Sequence, residues 1–383
     1  MVLVDAGNFY GDPDEAGRVK TQNLIDGMSM IGYASVNVGE RELAEGIDSF
    51  REKIRETGLP VTSASFIYRD TSEPVFSPFA LRTYTLASGR EAKVAFIGVD
   101  ALNSAFARPA DGSRVTIMRG PAEALGLVLP IVRPLADMVV LLANLSLRDL
   151  TNTLDANPGV DLALVNYGPR LSPGGRLEEV AGVPVLYAGD QGKRMGEVRV
   201  FFDEKQGRPR LEAHHVWLTR RYPADEKLQA LIDRTIQKVN DINRAKAERL
   251  AASSPKDEAA AGQEGFATAS TCRSCHAREY GIYETSAHAH AFQTLIEANQ
   301  DFNVECVGCH TTGFRKPFGF LNARQTPGLI DVQCEACHGH GAAHINDPQQ
   351  PYGNVPPRKC FTCHTKENSP DFVFFKYWDQ IKH

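Results

Sequence analysis

Over its first 222 residues the chain alternates short apolar runs with longer stretches of mixed polarity. Apolar runs bounded by turn residues read as buried strands. Candidates are Met1–Ala6, Tyr33–Val38, Val61–Ser65, Ala92–Val99, Met138–Leu142, Asp161–Val165 and Val183–Tyr187. Val19–Ile31, Leu43–Glu56 and Leu147–Leu154 carry apolar residues at helical spacing. Leu81–Leu86, Ser88-Gly89 and Ala92–Val99 predict a hairpin, and Gly196–Asp203 with Arg210–Thr219 predicts a second antiparallel pair. Antiparallel pairs among helix-linked strands favour an α/β layered sandwich, with mixed sheets and outer helices, over a purely parallel sheet.

From about Ala224 to Leu250 the period becomes helical, and Leu228, Leu231, Ile232, Ile236, Val239 and Ile242 fall on one stripe. Residues 223–250 therefore predict an amphipathic helix whose stripe packs on the α/β domain, with a partner-binding helix as the alternative. Residues 251–265 are small, polar and patternless, and read as a linker. A second domain, small and mostly α or irregular, is expected over residues 266–383.

Composition changes little. A length of 383 residues suits two domains, and the net charge of -5 comes without a basic block, so no nucleic-acid partner is expected. The longest apolar run, near Leu135–Leu145, is broken by Asp137 and Asn144 and is too short to span a membrane.

The chemistry lies in the cysteines. All eight occur in four C-x-x-C-H strings: Cys272, Cys275, His276; Cys306, Cys309, His310; Cys334, Cys337, His338; and Cys360, Cys363, His364. This is the attachment pattern of a c-type haem. One turn of helix places i, i+3 and i+4 on one face, so both thiols meet the haem vinyls while the imidazole reaches the iron. Paired C-x-x-C knuckles also hold structural zinc. A zinc ribbon has no need of a histidine after each second cysteine, and here all four strings have one. Four haem c groups are expected, with His276, His310, His338 and His364 as proximal ligands. At roughly thirty residues per haem there is too little chain for an ordinary apolar core. The macrocycles themselves should form the interior, close enough to one another for electron transfer.

The sixth ligand decides function. A second histidine closes the iron for electron transfer, whereas an empty position admits a substrate. His288, His344 and His383 are the expected distal ligands, the last held by the aromatic run Phe372–His383. His290, two residues from His288, points to another side and is a further distal candidate. His340 follows a proximal ligand too closely to reach another iron, and His214 and His215 lie on an upstream strand where structural roles are the default. Three distal ligands for four haems leave one iron to take His290, to take a histidine from a neighbouring subunit, or to stay five-coordinate.

Haem is attached outside the cytoplasm, so a periplasmic or extracellular location is expected. Met1–Gly7 reads as a strand entering a turn, without the basic start of an export signal. The expectation is that this sequence starts late and that the signal lies upstream.

The last third resembles the multihaem cytochromes c typified by the tetrahaem electron acceptor of hydroxylamine oxidoreductase. The resemblance rests on Cys272–His276 followed by Ser286-Ala-His288, on Cys306–Gly313, on Val332–Gly339 with His344, and on Cys360–His364 with Ser369-Pro and Ile381-Lys-His383. It implies distal roles for His288, His344 and His383, and one haem of the type member lacks a distal ligand. The first 220 residues resemble the 5'-nucleotidase-like metallophosphoesterases through Val4–Gly7, Ile31–Glu42, Pro74–Phe79 and Lys93–Gly98. That family holds two metal ions, and its ligand positions fail here. The opening Asp-x-His strand is absent, the bridging Asp is Asn8, and Gly-Asn-His-Glu reads Gly39, Glu40, Arg41, Glu42. Ser-His-x-Gly reads Ala143, Asn144, Leu145, Ser146, and Gly-x-His-x-His falls at Asn166, Tyr167, Gly168, Pro169. The resemblance thus implies a degenerate phosphoesterase domain over residues 1–222, kept as scaffold or docking surface, with Arg41 as a cation where metal once sat.

The expected function is electron transfer through four mostly bis-His haems between a redox donor and an acceptor protein. Assembly into a homo-oligomer or filament would let haem rows continue between copies. A different class of function is a haem oxidoreductase acting on a small nitrogen or sulfur species at one five-coordinate haem. A haem-linked phosphoesterase is the third.

Overall fold

The computed structural model describes residues 1–11, 13–101, 116–166, 172, 175–187, 192, 194–202, 209–218, 222–253, 265–365, 368–369 and 371–383. Among these the chain forms two compact units, Met1–Ile232 and Asp233–His383.

In the first unit, β6 (Glu91–Asp100) and β8 (Met138–Asn144) are neighbouring interior strands of a six-stranded sheet. Their run of apolar residues is buried on both faces, as parallel strands require. β9 (Leu162–Val165) and β11 (Val183–Tyr187) continue the parallel pairing. The edges are antiparallel: β5 (Phe79–Thr85) on one side and β10 (Glu178–Val180) on the other. Alternate residues serve opposite faces. Ile97, Val99, Leu141 and Ala143 pack against α3 (Pro121–Val132) and α4 (Leu147–Ala156). Phe96, Met138, Val140 and Leu142 pack toward Val198, Val200 and Leu211 of the hairpin formed by β12 (Arg194–Phe201) and β13 (Arg210–Trp217). Full burial of a side chain such as Ile97 or Leu141 contributes about 1.5–3 kcal/mol.

A second, all-parallel sheet joins β1 (Val4–Asp5), β2 (Ser35–Asn37) and β3 (Val61–Thr62). It packs with α1 (Glu15–Ile31) and α2 (Ile47–Thr57) through Ile25, Met28, Val36 and Phe50. Asp14 caps α1 by accepting from the Gly17 N–H at 2.8 Å, and Gly32 ends it in the left-handed region. The two sheets meet where Gly98 leaves no room for a side chain, since a Cβ there would lie 2.4 Å from the Thr62 carbonyl oxygen. The arrangement is the expected layered α/β sandwich with mixed sheets.

Four elements were not anticipated. β4 (Phe66–Tyr68) pairs with β7 (Thr116–Met118), β10 forms an edge, and α3 covers the central sheet. α3 reads PAEALGLVLPIV, apolar on nearly every side, so it shows no helical period; Gly120 and Pro121 were its only boundary signals.

The long amphipathic helix is α5 (Glu226–Ser253). The unit boundary falls inside it, which corrects the expectation that its whole stripe packs on the α/β domain. Its start belongs to the first unit: the Leu231 carbonyl accepts from Asn23 Nδ2 at 3.1 Å. Its later turns belong to the second, where Val239 and Asn240 are buried and Asn243 Nδ2 donates to the Phe302 carbonyl at 3.0 Å.

The second unit is built of short helices: α6 (Ala269–Arg273), α7 (Ala277–Glu284), α8 (Ala291–Glu297), α9 (Val304–His310), α10 (Cys334–His338), α11 (Ala342–Asn346) and α12 (Phe374–Ile381). Its buried apolar cluster among the described residues is Phe266, Phe292, Leu295, Val307, Phe320 and Leu329. So small a cluster cannot by itself hold a unit of this length. No helix among the described residues is long and apolar enough to cross a membrane.

Candidate functional site

Each C-x-x-C-H string is one helical turn. The His276 and His364 N–H groups donate to the carbonyls of Cys272 and Cys360, both at 2.9 Å, and the other two strings lie in α9 and α10. None of the eight cysteines is tied up in a disulfide, so every sulfur is available for a thioether bond.

The histidines pair across the fold. His276 faces His344 with ring centroids 6.1 Å apart, His288 faces His364 at 6.0 Å, and His338 faces His383 at 5.6 Å. Two imidazoles bound to opposite sides of one metal, each through a bond of about 2 Å, have centroids about 6 Å apart. Each pair joins a string histidine to a distal candidate, so the residues present fit an axially ligated haem.

Orientation agrees. Nδ1 of His310 and of His338 each lies 2.7 Å from a backbone carbonyl, of Ala291 and Gly353 respectively. Nδ1 of His344 lies 3.0 Å from the Gln350 carbonyl, and that of His383 3.1 Å from the Ile381 carbonyl. A carbonyl only accepts, so Nδ1 carries the proton and the Nε2 lone pair is left for a metal. Burial holds His288, His338 and His364 below the usual imidazole range, which keeps them neutral.

The remaining histidines behave differently. The His340 ring packs on Phe266 at 3.9 Å, away from the paired sites. His290 ends a short 3-10 helix (Ala287–His290), and neither it nor His310 faces a second histidine ring among the described residues. His215 Nε2 lies 3.0 Å from the Tyr187 carbonyl, and His214 lies 3.5 Å from Glu197; both are structural strand residues.

Thiols of different strings approach one another. A hydrogen bond between Cys272 and Cys334 lowers the first thiol to about 7 and raises the second. Burial, followed by the neighbouring Cys363, raises Cys309 to about 11. Cys337, raised chiefly by burial, also feels Cys360 and Cys363. Tyr352 lies between two of the imidazole pairs, stacked on His344 at 5.2 Å and 6.0 Å from His338.

In the first unit, the polar groups at the carboxyl ends of the strands are absorbed by the backbone. Glu42, fully buried, accepts from the N–H groups of Asn8 at 3.1 Å, Tyr10 at 3.0 Å and Gly39 at 2.7 Å. Asp100 accepts from the Glu40 and Ala101 N–H groups and from Asn144 Nδ2. Asn166 Nδ2 donates to the Gly7 carbonyl at 2.7 Å. Arg41 is exposed and contributes its backbone N–H to Asn8 Oδ1 at 3.2 Å. Buried carboxylates, not Arg41, therefore fill this region. Tyr167, Gly168 and Pro169 lie outside the described residues. Among the described residues no three His, Cys, Asp or Glu side chains are grouped to hold a metal ion.

Residues 271–339 match the family model of cytochrome c554 and c-prime. That stretch holds three of the four strings and the His288 segment. Cytochrome c-554 of Nitrosomonas europaea is 28% identical over 135 residues, covering 26% of this chain and 57% of that protein. The match shows that this region is similar to cytochromes c554 around its C-x-x-C-H strings. A 2',3'-cyclic-nucleotide 2'-phosphodiesterase/3'-nucleotidase of Salmonella typhimurium is 21% identical over 239 residues, covering 54% of this chain and 37% of that protein. The chain thus spans just over half of the first curated relative and about a third of the second. The calcineurin-like phosphoesterase YfkN of Bacillus subtilis superposes with a TM-score of 0.53 at 16% identity, covering 62% of this chain and 83% of that structure. The N-terminal unit has the phosphoesterase fold, followed by the helical cytochrome c554-like unit.

Sequence reasoning missed the residues that knit the cytochrome unit. Gln333 accepts from the Ala269 N–H at 2.6 Å and donates to the carbonyls of Gly328 and Ile330, tying the first string to the third. Buried Thr312 donates to the Asp331 carbonyl and accepts from the Gln333 N–H at 3.0 Å. Asp331 in turn caps Phe292, and the Val332 N–H donates to the His288 carbonyl at 3.1 Å. The only signal was that these residues adjoin a C-x-x-C-H string.

Proposed function

We propose that the chain is an electron carrier with four covalent haem c groups, one at each C-x-x-C-H string. His276 with His344, His338 with His383, and His364 with His288 would be the axial pairs. The single observation that carries this reading is the three imidazole pairs at 5.6–6.1 Å. A bound haem supplies a one-electron ferric–ferrous couple. The protein's share is to fix both imidazoles, keep them neutral, and hold neighbouring strings together. Thiol proximity links the first string to the third, the third to the fourth, and the fourth to the second. The row would therefore run first, third, fourth, second, with Tyr352 between the two pairs at one end.

The phosphoesterase-like unit serves as scaffold or docking surface in this reading, because Glu42, Asp100 and Asn166 are engaged by backbone or amide groups. Redox donor and acceptor proteins outside the cytoplasm are the proposed partners.

One observation favours a second reading for the His310 haem. The imidazole is oriented by Ala291 but faces no second histidine among the described residues. An open position there would admit a small nitrogen or sulfur species. Alkaline pyridine haem quantification on the purified chain should return four haems per polypeptide. Electron paramagnetic resonance should count three low-spin centres and reveal whether a fourth, high-spin signal shifts with nitric oxide. Free thiols, or zinc in place of haem, would overturn the reading.

A further inference from the structure

We infer that Ser369 is a positioning residue that sets the electron-donating strength of His364, and with it the reduction potential of the haem at Cys360 and Cys363; this rests on the haem reading above. Among the described residues, Nδ1 of His310, His338, His344 and His383 each meets a backbone carbonyl, and that of His310 also lies 3.3 Å from the Thr294 hydroxyl. His364 departs from that pattern: its Nδ1 lies 3.0 Å from the Ser369 hydroxyl.

The difference has a chemical consequence. An amide carbonyl, polarised by its own nitrogen, draws on an imidazole N–H more strongly than a neutral hydroxyl does. A hydroxyl can also turn to donate elsewhere. The harder the N–H is drawn, the more basic the ring becomes at Nε2, and the better it stabilises ferric iron over ferrous. A ligand leaning on a hydroxyl therefore leaves its iron easier to reduce. The His364 haem should have a higher potential than it would with a carbonyl acceptor, making the fourth string a resting place for electrons within the row.

Ser369 is held for this role. Its own N–H donates to the Thr365 carbonyl at 2.7 Å, and the Phe372 N–H donates back to the Ser369 carbonyl at 3.0 Å. The Phe372 ring lies flat on the His364 imidazole, 4.3 Å away and 11° from parallel. One edge of the imidazole thus meets Ser369 and one face meets Phe372. The position is also a side chain, so its acceptor strength can be changed without touching the backbone, which is not so at the carbonyls that meet His338, His344 and His383.

The test is a potentiometric titration of the full-length, haem-loaded protein, read optically. S369A removes the acceptor, and S369N supplies a neutral amide oxygen without adding charge. S369T, which keeps the hydroxyl, is the conservative control. H288M identifies the component, because methionine ligation raises the potential of the haem that His288 serves. The expected result is that one component moves up in S369A and down in S369N, stays at the parental value in S369T, and is the one that H288M displaces. The inference is overturned if that component stays put in both S369A and S369N while the spectra remain low-spin, or if the displaced component is not the H288M one. Failure of the underlying reading looks different: the parent protein itself would show no haem components to titrate.

Discussion

Gly353→Ala tests how tightly the backbone grips an axial histidine. Gly353 sits at φ +92°, and its carbonyl accepts from His338 Nδ1 at 2.7 Å. A Cβ built there would lie 2.7 Å from the same nitrogen, closer than such contacts occur. Two costs add. An L-residue in this backbone region is strained by roughly 1–2 kcal/mol. Relieving the contact pushes the ring off its carbonyl and forfeits a hydrogen bond worth about 1 kcal/mol net. Together they come to about 2–3 kcal/mol, or a melting shift of about 4–12 °C for a unit of this size. The control is Gly58→Ala at the end of α2, where φ is +70° and no atom lies within 4 Å of the added carbon. It incurs the strain alone. Thermal melts of the haem-loaded chain, with low-spin resonance signals recorded alongside, compare the two. G353A should melt lower than G58A and alter the signal of one haem, and G58A should alter none. Equal melting losses with an unchanged spectrum in both would falsify the claim that Gly353 positions His338.

Other consequences can be checked in the same protein. Glu42→Ala strands three buried N–H donors at roughly 1–3 kcal/mol each before relaxation, so urea denaturation should show a loss on the order of 4 kcal/mol; a loss under 1 kcal/mol would remove Glu42 as the tie between these loops. Burial raises Asp5 to about 6, Glu42 to about 7 and Asp100 to about 8. These folded values exceed the unfolded ones, so their contribution is complete below about pH 4 and is lost as pH rises through the folded values. The phosphoesterase-like unit should therefore melt lower at pH 8.5 than at pH 5.5, and Asp100→Asn should flatten that slope; a melting temperature that climbs with pH contradicts the assignment. His344→Ala should convert one low-spin haem to high spin, whereas His340→Ala, whose ring rests on Phe266, should leave the spin count unchanged. A high-spin signal from H340A would show that His340 ligates iron.

Departures from the phosphoesterase ligand pattern were readable position by position, because metal ligation demands particular side chains. What replaced them was not. Glu42 looks like the leftover end of a motif, yet in the fold it gathers three N–H groups from two loops. Asn8 and Asp100 crowd so closely that Gly39 cannot carry a side chain: a Cβ would lie 2.8 Å from Asp100 Oδ2. The helix α3 went unseen for the opposite reason. Periodicity marks an element with one wet face, and most of this one is apolar.

What the sequence determined by itself was local: where the four C-x-x-C-H strings lie, which histidines are available beside them, and that the C-terminal unit lacks the residues for an ordinary core. A C-x-x-C-H string occupies one helical turn, so its geometry is complete within five residues. Which histidine faces which was decided only by the tertiary structure. His288 meets His364, and His344 turns back to His276, across long separations that no spacing rule encodes. Gln333, Thr312 and Asp331 anchor the backbone beside the first string and the His288 segment, through contacts equally distant in sequence. Axial ligation joins residues distant in sequence, and only a folded chain brings them within reach of one iron.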